Sequence, residues 1–135
     1  MRLRPLLLAA AALLAVLAQP LAAMGLGDLV LHSRLNQPFS AEVRLQNTRG
    51  LTEGDIKVTF ASQDEFERRG LEWHYFLTDF RFEVEFVRGE QPRILIRSHS
   101  PIREPYISFI LEVRSPSSKV QREYTVLLEK PEPIE

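Results

Sequence analysis

Three histidines, His32, His74 and His99, are the side chains best suited to metal or proton chemistry in this sequence, and they lie far apart. No two stand four residues apart, the spacing that sets a ligand pair on one helix face. A metal centre would need ligands converging from separate segments, and the chain has no cysteine to supply a thiolate. The histidines read as surface or strand-end residues, and neither a metal nor a cofactor site is expected. Serines 33, 62, 98, 100, 115, 117 and 118 fall mostly in turns or caps. None stands in a G-x-S-x-G elbow or an S-x-x-K motif, which would set the hydroxyl beside an activating base. "SPSSK" at 115–119 reads as a proline turn between strands. Carboxylate pairs can flank a glycosidic bond on any fold. Here Glu83 and Glu85 alternate with apolar residues, which marks a solvated strand face, while Asp64 and Glu65 open a helix. The six glycines form no phosphate-cradling loop. No catalytic residue is expected, and the chain is not expected to be an enzyme.

Residues that could hold a partner are easier to find. "LEWHYFLTDF" at 71–80 gathers Trp73, Tyr75, Phe76 and Phe80. Aromatic side chains can stack on sugars or anchor a protein interface. Phe76 and Phe80 are expected to be buried, whereas Trp73 and Tyr75 could face out; the competing reading packs the whole cluster beneath a helix. Arg103 and Glu104, held between Pro101 and Pro105, are the second candidate. The structural alternative is that the prolines fix φ and push Ser100 and Glu104 into extended conformations. The stiff lead-in then sets the register of the following strand, where a slip of one residue would expose its core face. A sheet edge able to accept a partner strand is the third available surface.

These residues sit in a chain of 135 amino acids, enough for one ordinary domain. Its first stretch has Arg2 and Arg4, an apolar run from Leu6 to Leu17, then Pro20 and small residues. Basic head, apolar middle and small-residue cut site make a secretory signal peptide over residues 1–23. The expected cut follows Ala23, with a cut after Gly25 as the rival. The run is short for a bilayer span. The whole chain has 17 basic and 18 acidic residues; losing Arg2 and Arg4 leaves 15 against 18, a net charge of −3. That argues against nucleic acid as a partner, since binding phosphates needs clustered Lys and Arg. An exported chain without cysteine must be held by its core rather than by disulfides. The expected location is the periplasm, with no membrane span in the mature chain.

Two-residue alternation dominates from residue 28 onward. Strands are expected at "DLVLHS", "FSAEVRLQ", "DIKVTFA", "FRFEVEFV", "RILIRS", "ISFILEVR" and "VQREYTVLLE". In the sixth, Ile107, Phe109, Leu111 and Val113 share a buried face, and Ser108, Ile110, Glu112 and Arg114 share the other. Turns fall at 47–55, at "RGEQP" and at "SPSSK", where Gly, Asn and Pro supply the required backbone angles. Ser62 with Glu65 reads as a capping box, and Gly70 as the end of a short helix over 62–70, with Phe66 as its apolar anchor. The helix is expected to cap an open end. Seven short strands with turns between them predict an all-β, immunoglobulin-like antiparallel β-sandwich with one short helix. The domain is expected over 24–129, followed at 130–135 by a Pro- and Glu-rich linker. The expected core comprises Leu31, Val43, Leu45, Ile56, Val58, Phe60, Phe80, Phe82, Val84, Phe109, Leu111, Val113, Tyr124 and Val126.

An ordered series of blocks carries a resemblance: "GLGDLVLHSRLNQPFSAEVRL", "FASQDEFERRGLE", "FLTDFRFEV", "PIREPYISFILEV" and "REYTVLLEKP". Together, over residues 25–131, the chain resembles the N-terminal periplasmic domain of the FimV family. The resemblance implies a non-enzymatic scaffold module associated with type IV pilus assembly, twitching motility and cell-pole organisation. It implies envelope protein partners, pilus-assembly components among them. Family members continue into a peptidoglycan-binding LysM module, a membrane helix and a cytoplasmic repeat region. None of these lies within the 135 residues, so membrane anchorage is expected only if a longer C-terminal region exists. A carbohydrate- or peptidoglycan-binding sandwich using Trp73 and Tyr75 is the alternative function.

Overall fold

The computed structural model describes residues 23–132. The expected signal peptide therefore lies outside the described residues except at its final residue. Among the described residues there are seven strands: β1 (Gly25–Leu31), β2 (Pro38–Gln46), β3 (Lys57–Phe60), β4 (Phe80–Glu85), β5 (Arg93–Pro101), β6 (Tyr106–Arg114) and β7 (Lys119–Leu127). They form two antiparallel sheets, ordered β1-β2-β5-β4 and β3-β6-β7. The inner faces pack together around Phe39, Val43, Leu45, Ile94, Ile96, Phe109, Leu111 and Val113, all without significant exposure. Phe109 joins the layers, its ring 6.3 Å from Phe39, 5.2 Å from Phe60 and 5.9 Å from Tyr124.

Five strands form where the alternation places them: β2, β3, β4, β6 and β7. β1 begins earlier than expected, at Gly25, and carries a register shift between Leu26 and Leu29. β5 is longer than its apolar run, because Ser98 replaces a ladder partner. The Ser98 hydroxyl accepts from Phe39 N (2.7 Å) and donates to Ser100 O (2.7 Å), next to the register shift between Pro38 and Ser40. In β6 burial extends to both faces at its middle: Ile110, assigned to the open face by alternation, is covered as fully as Phe109 and Leu111, and Glu112 is only 8% exposed. The residues flanking the helix bond to this strand and its neighbour. Helix α1 (Gln63–Arg68) follows β3, and Ala61 N donates to Ile110 O at 2.9 Å. Its C-terminal neighbour Arg69 donates to Gln121 Oε1 (2.9 Å), and Gln121 Nε2 donates to Glu112 Oε1 (2.7 Å). The helix is thus tied to the outer face of the three-stranded sheet rather than to an open end.

Ser62 caps α1, its Oγ accepting from Glu65 N at 3.3 Å. The Glu65 carboxylate turns to Arg68 (2.6 Å) instead of completing the box. A carboxylate does close back on its cap at Thr52, whose N and Oγ1 both donate to Asp55 Oδ2 (2.9 and 3.1 Å). Gly70 takes positive φ (72°) just after the helix, as a helix-ending residue must when the chain reverses. Of the expected core, Leu31, Val58, Phe60, Phe82 and Val84 are only half-buried. Four of these five lie on β3 and β4, the outer strands of their sheets, where the sandwich is open at one side.

Candidate interaction surfaces

Trp73 and Tyr75 follow α1 on the connection from β3 to β4, two residues apart, and they point to different environments. Trp73 is half-buried, edge-on to Phe66 (4.9 Å) and to Phe60 (6.5 Å). Tyr75 is 86% exposed and opens a 3-10 turn, Tyr75–Asp79. The turn is pinned: Thr78 Oγ1 donates to Tyr75 O (2.8 Å), and the Asp79 carboxylate accepts from Ser100 N on β5 (2.7 Å). Phe76 stacks on the His74 ring at 5.0 Å, and Phe80 is buried.

Arg103 and Glu104 are exposed in the β5–β6 loop. The residue before them, Ile102, is buried and bonded to the β1–β2 loop in both directions: Ile102 N donates to Gln37 O (3.0 Å) and Asn36 N donates to Ile102 O (2.8 Å). Pro105 O accepts from Leu128 N (2.8 Å). Ile102 and the two prolines therefore fix the loop, and the charged pair stands at its tip.

Since all strands are antiparallel, the start of β4, the end of β5, the start of β6 and the ends of β1 and β7 share one end of the sandwich. Tyr75, Arg103 and Glu104 all lie toward that end. It also holds the other three large apolar side chains exposed among the described residues: Tyr106 (66%), Leu127 (50%) and Val30 (49%). Tyr106 and Leu127 are cross-strand partners on the outer face of β6 and β7. Sequence reasoning did not single them out, although each is an apolar residue in the polar phase of its strand, and that signal was available.

The outer face of the four-stranded sheet carries the main charged cluster. Glu42 Oε1 lies 2.9 Å from His32 Nε2, and Arg93 reaches Glu42 Oε2 (3.3 Å) and Glu85 Oε2 (3.0 Å). Arg97 lies 3.7 Å from Glu83. The hydrogen bond from His32, helped by Arg93, holds the Glu42 carboxyl below its ordinary value despite partial desolvation. Charges of both signs compensate one another here, as on a solvated sheet face. Ser40 lines the same shallow depression, but the His32 nitrogen it would need as a base is bonded to Glu42. Among the described residues no three His, Asp or Glu side chains converge as metal ligands.

On the other sheet, burial pushes the Glu112 carboxyl up. Hydrogen bonds from Gln121 and Arg114, with the Lys119 charge, outweigh this and leave it below its ordinary value. One oxygen of this carboxylate leads through Gln121 to Arg69 beside α1, and the other is held by Arg114 of the same strand.

Fold and surface together define a small immunoglobulin-like β-sandwich whose distinguishing features are exposed side chains on a rigid frame. The FimV N-terminal Ig-like domain family matches residues 24–131, and the chain belongs to that family. Motility hub protein FimV from each of two strains of Pseudomonas aeruginosa is 38% identical over 130 residues, covering 96% of this chain. The chain spans 14% of the length of these relatives. No solved structure matches it. Among the described residues no helix is long and apolar enough to cross a membrane.

Proposed function

We propose that this domain is a non-enzymatic interaction module of the periplasm, serving type IV pilus assembly, twitching motility and cell-pole organisation. Its partner is an envelope protein, held by the end of the sandwich that presents Tyr75, Tyr106, Leu127, Arg103 and Glu104. One observation carries the reading: the four large apolar side chains exposed among the described residues all lie at or near that end. Exposed aromatics on a fixed frame anchor interfaces at low entropic cost. Kinship to a motility hub protein supports the class of partner. Trp73 holds the connection by packing edge-on against Phe60 and Phe66.

Export by a signal peptide belongs to the same reading. Met24 is buried in the core, Gly25 pairs with Gln46, and Asn47 Nδ2 donates to Ala23 O (2.9 Å). A cut after Gly25 would remove a core side chain, so the cut after Ala23 is favoured of the two. The test is capture from envelope extract by the wild-type domain and by a Tyr75→Ser/Tyr106→Ser/Leu127→Ser variant. Loss of one specific band with an unchanged thermal transition supports the reading; equal capture by both sinks it. Tyr75 and Tyr106 would also suit sugar stacking. Co-sedimentation with purified peptidoglycan, lost in the same variant, would establish that second reading instead.

A further inference from the structure

The seam between β3 and β4 is built differently from the loop end, and we propose that it accepts an extended basic peptide of a partner protein as a strand added to β4. This rests on the reading of the domain as a protein-binding module and assigns that module a second, main-chain contact. Leu45 N donates to Pro92 O, so β5 residues in phase with Pro92, Ile94 and Ile96, turn their main chain to β2. The alternate residues Arg93, Leu95 and Arg97 turn theirs to β4, where they meet Glu85, Glu83 and Arg81. The N–H and C=O groups of Phe82 and Val84 therefore point away from the sheet, into the seam. Phe86 N has the same phase and donates to Glu53 Oε1 at 3.1 Å. On β3 the bond from Ala61 N to Ile110 O sets the phase. It leaves the main-chain groups of Val58 and Phe60 facing the seam from the other side. Among the described residues no ladder joins β3 to β4.

At one end the seam is shut by Phe60 and Phe82, whose rings are 4.9 Å apart. It widens toward the turn at Glu53–Asp55 into an open groove of about 500 Å³. Ile56, Val58, Phe82 and Val84 line it, and among the described residues its charged lining is Glu53, bonded to Phe86 N, and Glu83, whose exposed pairing with Arg97 at 3.7 Å is weak enough to be exchanged. Each property selects a feature of the occupant. Unpaired main-chain groups require an extended chain, the apolar lining requires apolar side chains at alternate positions, and the acidic rim selects Lys or Arg between them. The Glu53 carboxylate occupies the place of a strand carbonyl at Phe86 N; an added strand would take over that bond and leave the carboxylate for a basic side chain. A second copy of β4 is disfavoured as occupant because it would set two acidic rims against each other.

The test uses the ¹⁵N-labelled chain and an eight-residue peptide of alternating Val and Lys, read by amide hydrogen exchange. At a peptide concentration about ten times its Kd, exchange at Phe82, Val84 and Phe86 should slow about tenfold. Val84→Pro should abolish this protection, since it removes an edge N–H while leaving the β4–β5 ladder intact. Should that variant fail to fold, Glu53→Lys/Glu83→Lys is the second measure: it should lose the Val-Lys peptide and protect the same amides with a Val-Glu peptide. Fast exchange at all three amides, protection confined to Tyr75 or Tyr106, or equal binding by folded Val84→Pro overturns the proposal. So does protection that rises with protein concentration alone, which would make a second copy the occupant. Loss of seam binding with partner capture by the loop end intact would remove only this proposal.

Discussion

The sandwich has two sides at which its sheets meet, and they are finished in opposite ways. Between β1 and β7 the seam is sealed with polar bonds from side chains to main chain. The buried Tyr124 donates from Oη to Gly27 O at 2.7 Å. Arg122 donates to Leu26 O (3.1 Å) and Asp28 Oδ1 (2.8 Å), with its guanidinium 5.0 Å from the Tyr124 ring centroid. The register shift at Gly27 makes this possible, and a Cβ there would lie 3.2 Å from Arg44 O. Between β3 and β4 the closure is aromatic at one end and open at the other, with Glu53 bonded to one edge N–H. Side chains can neutralise an exposed strand edge without a further strand; where they do so at one position only, the edge stays available.

Removing the residue that ties both sides together should have the largest effect. Phe109→Ala should cost about 3–5 kcal/mol, a large part of the roughly 5–15 kcal/mol that holds an ordinary domain. Phe82→Ala, on the open side, removes a half-buried ring and should cost less, about 2 kcal/mol. Urea titration followed by tryptophan fluorescence measures both. Equal costs would mean that the β3–β4 side is as closed as the centre of the core.

The sealed side has its own signature in pH. Burial pushes the Tyr124 phenol up to about 12; the Asp28 charge adds to this and Arg122 opposes it. The unfolded chain releases this proton near the ordinary phenol value of about 10, so the folded state binds more protons between those values. The contribution is complete below about pH 10 and is lost as pH rises toward 12. Tyr124→Phe should cost about 1–3 kcal/mol at neutral pH, because the buried Gly27 carbonyl loses its donor. Its stability should then fall less than wild type between pH 10 and 12. Parallel decline of the two proteins would show that Tyr124 ionises as an exposed phenol.

Alternation made much of this molecule legible, because a strand half-covered by a partner sheet needs its apolar residues every second position. It placed β2, β3, β4, β6 and β7, and the Ser62 and Gly70 signals placed α1. Alternation is blind to what lies beside a strand. Phe82 and Val84 have the pattern of Val43 and Leu45, yet β4 is an outer strand and β2 an inner one, and only strand order separates them. Likewise the cover over Glu112 depends on hydrogen bonds from Gln121 and Arg114, which alternation cannot show. Within the aromatic stretch the sequence singled out Trp73 and Tyr75 without separating them; the packing of Phe66 and Phe60 turns one in and leaves the other out. Tyr106 and Leu127 break the alternation of their strands, and that irregularity was the readable sign of a surface.

The smallest expected effect sharpens the comparison most, because one substitution can be placed on both sides. Valine and threonine have the same shape, so the change adds little beyond a hydroxyl that must find a partner. Val126 lies on β7 behind the sealed seam and is buried. There the new hydroxyl would be cut off from water, and Val126→Thr should cost about 1–3 kcal/mol. Val84 lines the open groove, where water or an unpaired edge carbonyl can accept the hydroxyl's proton. Val84→Thr should therefore lie within about 0.5 kcal/mol of wild type, as surface changes usually do. Thermal unfolding of the pair measures the difference directly. A loss of more than about 1 kcal/mol at Val84 would mean that the β3–β4 seam is already dry, leaving no room for an added strand.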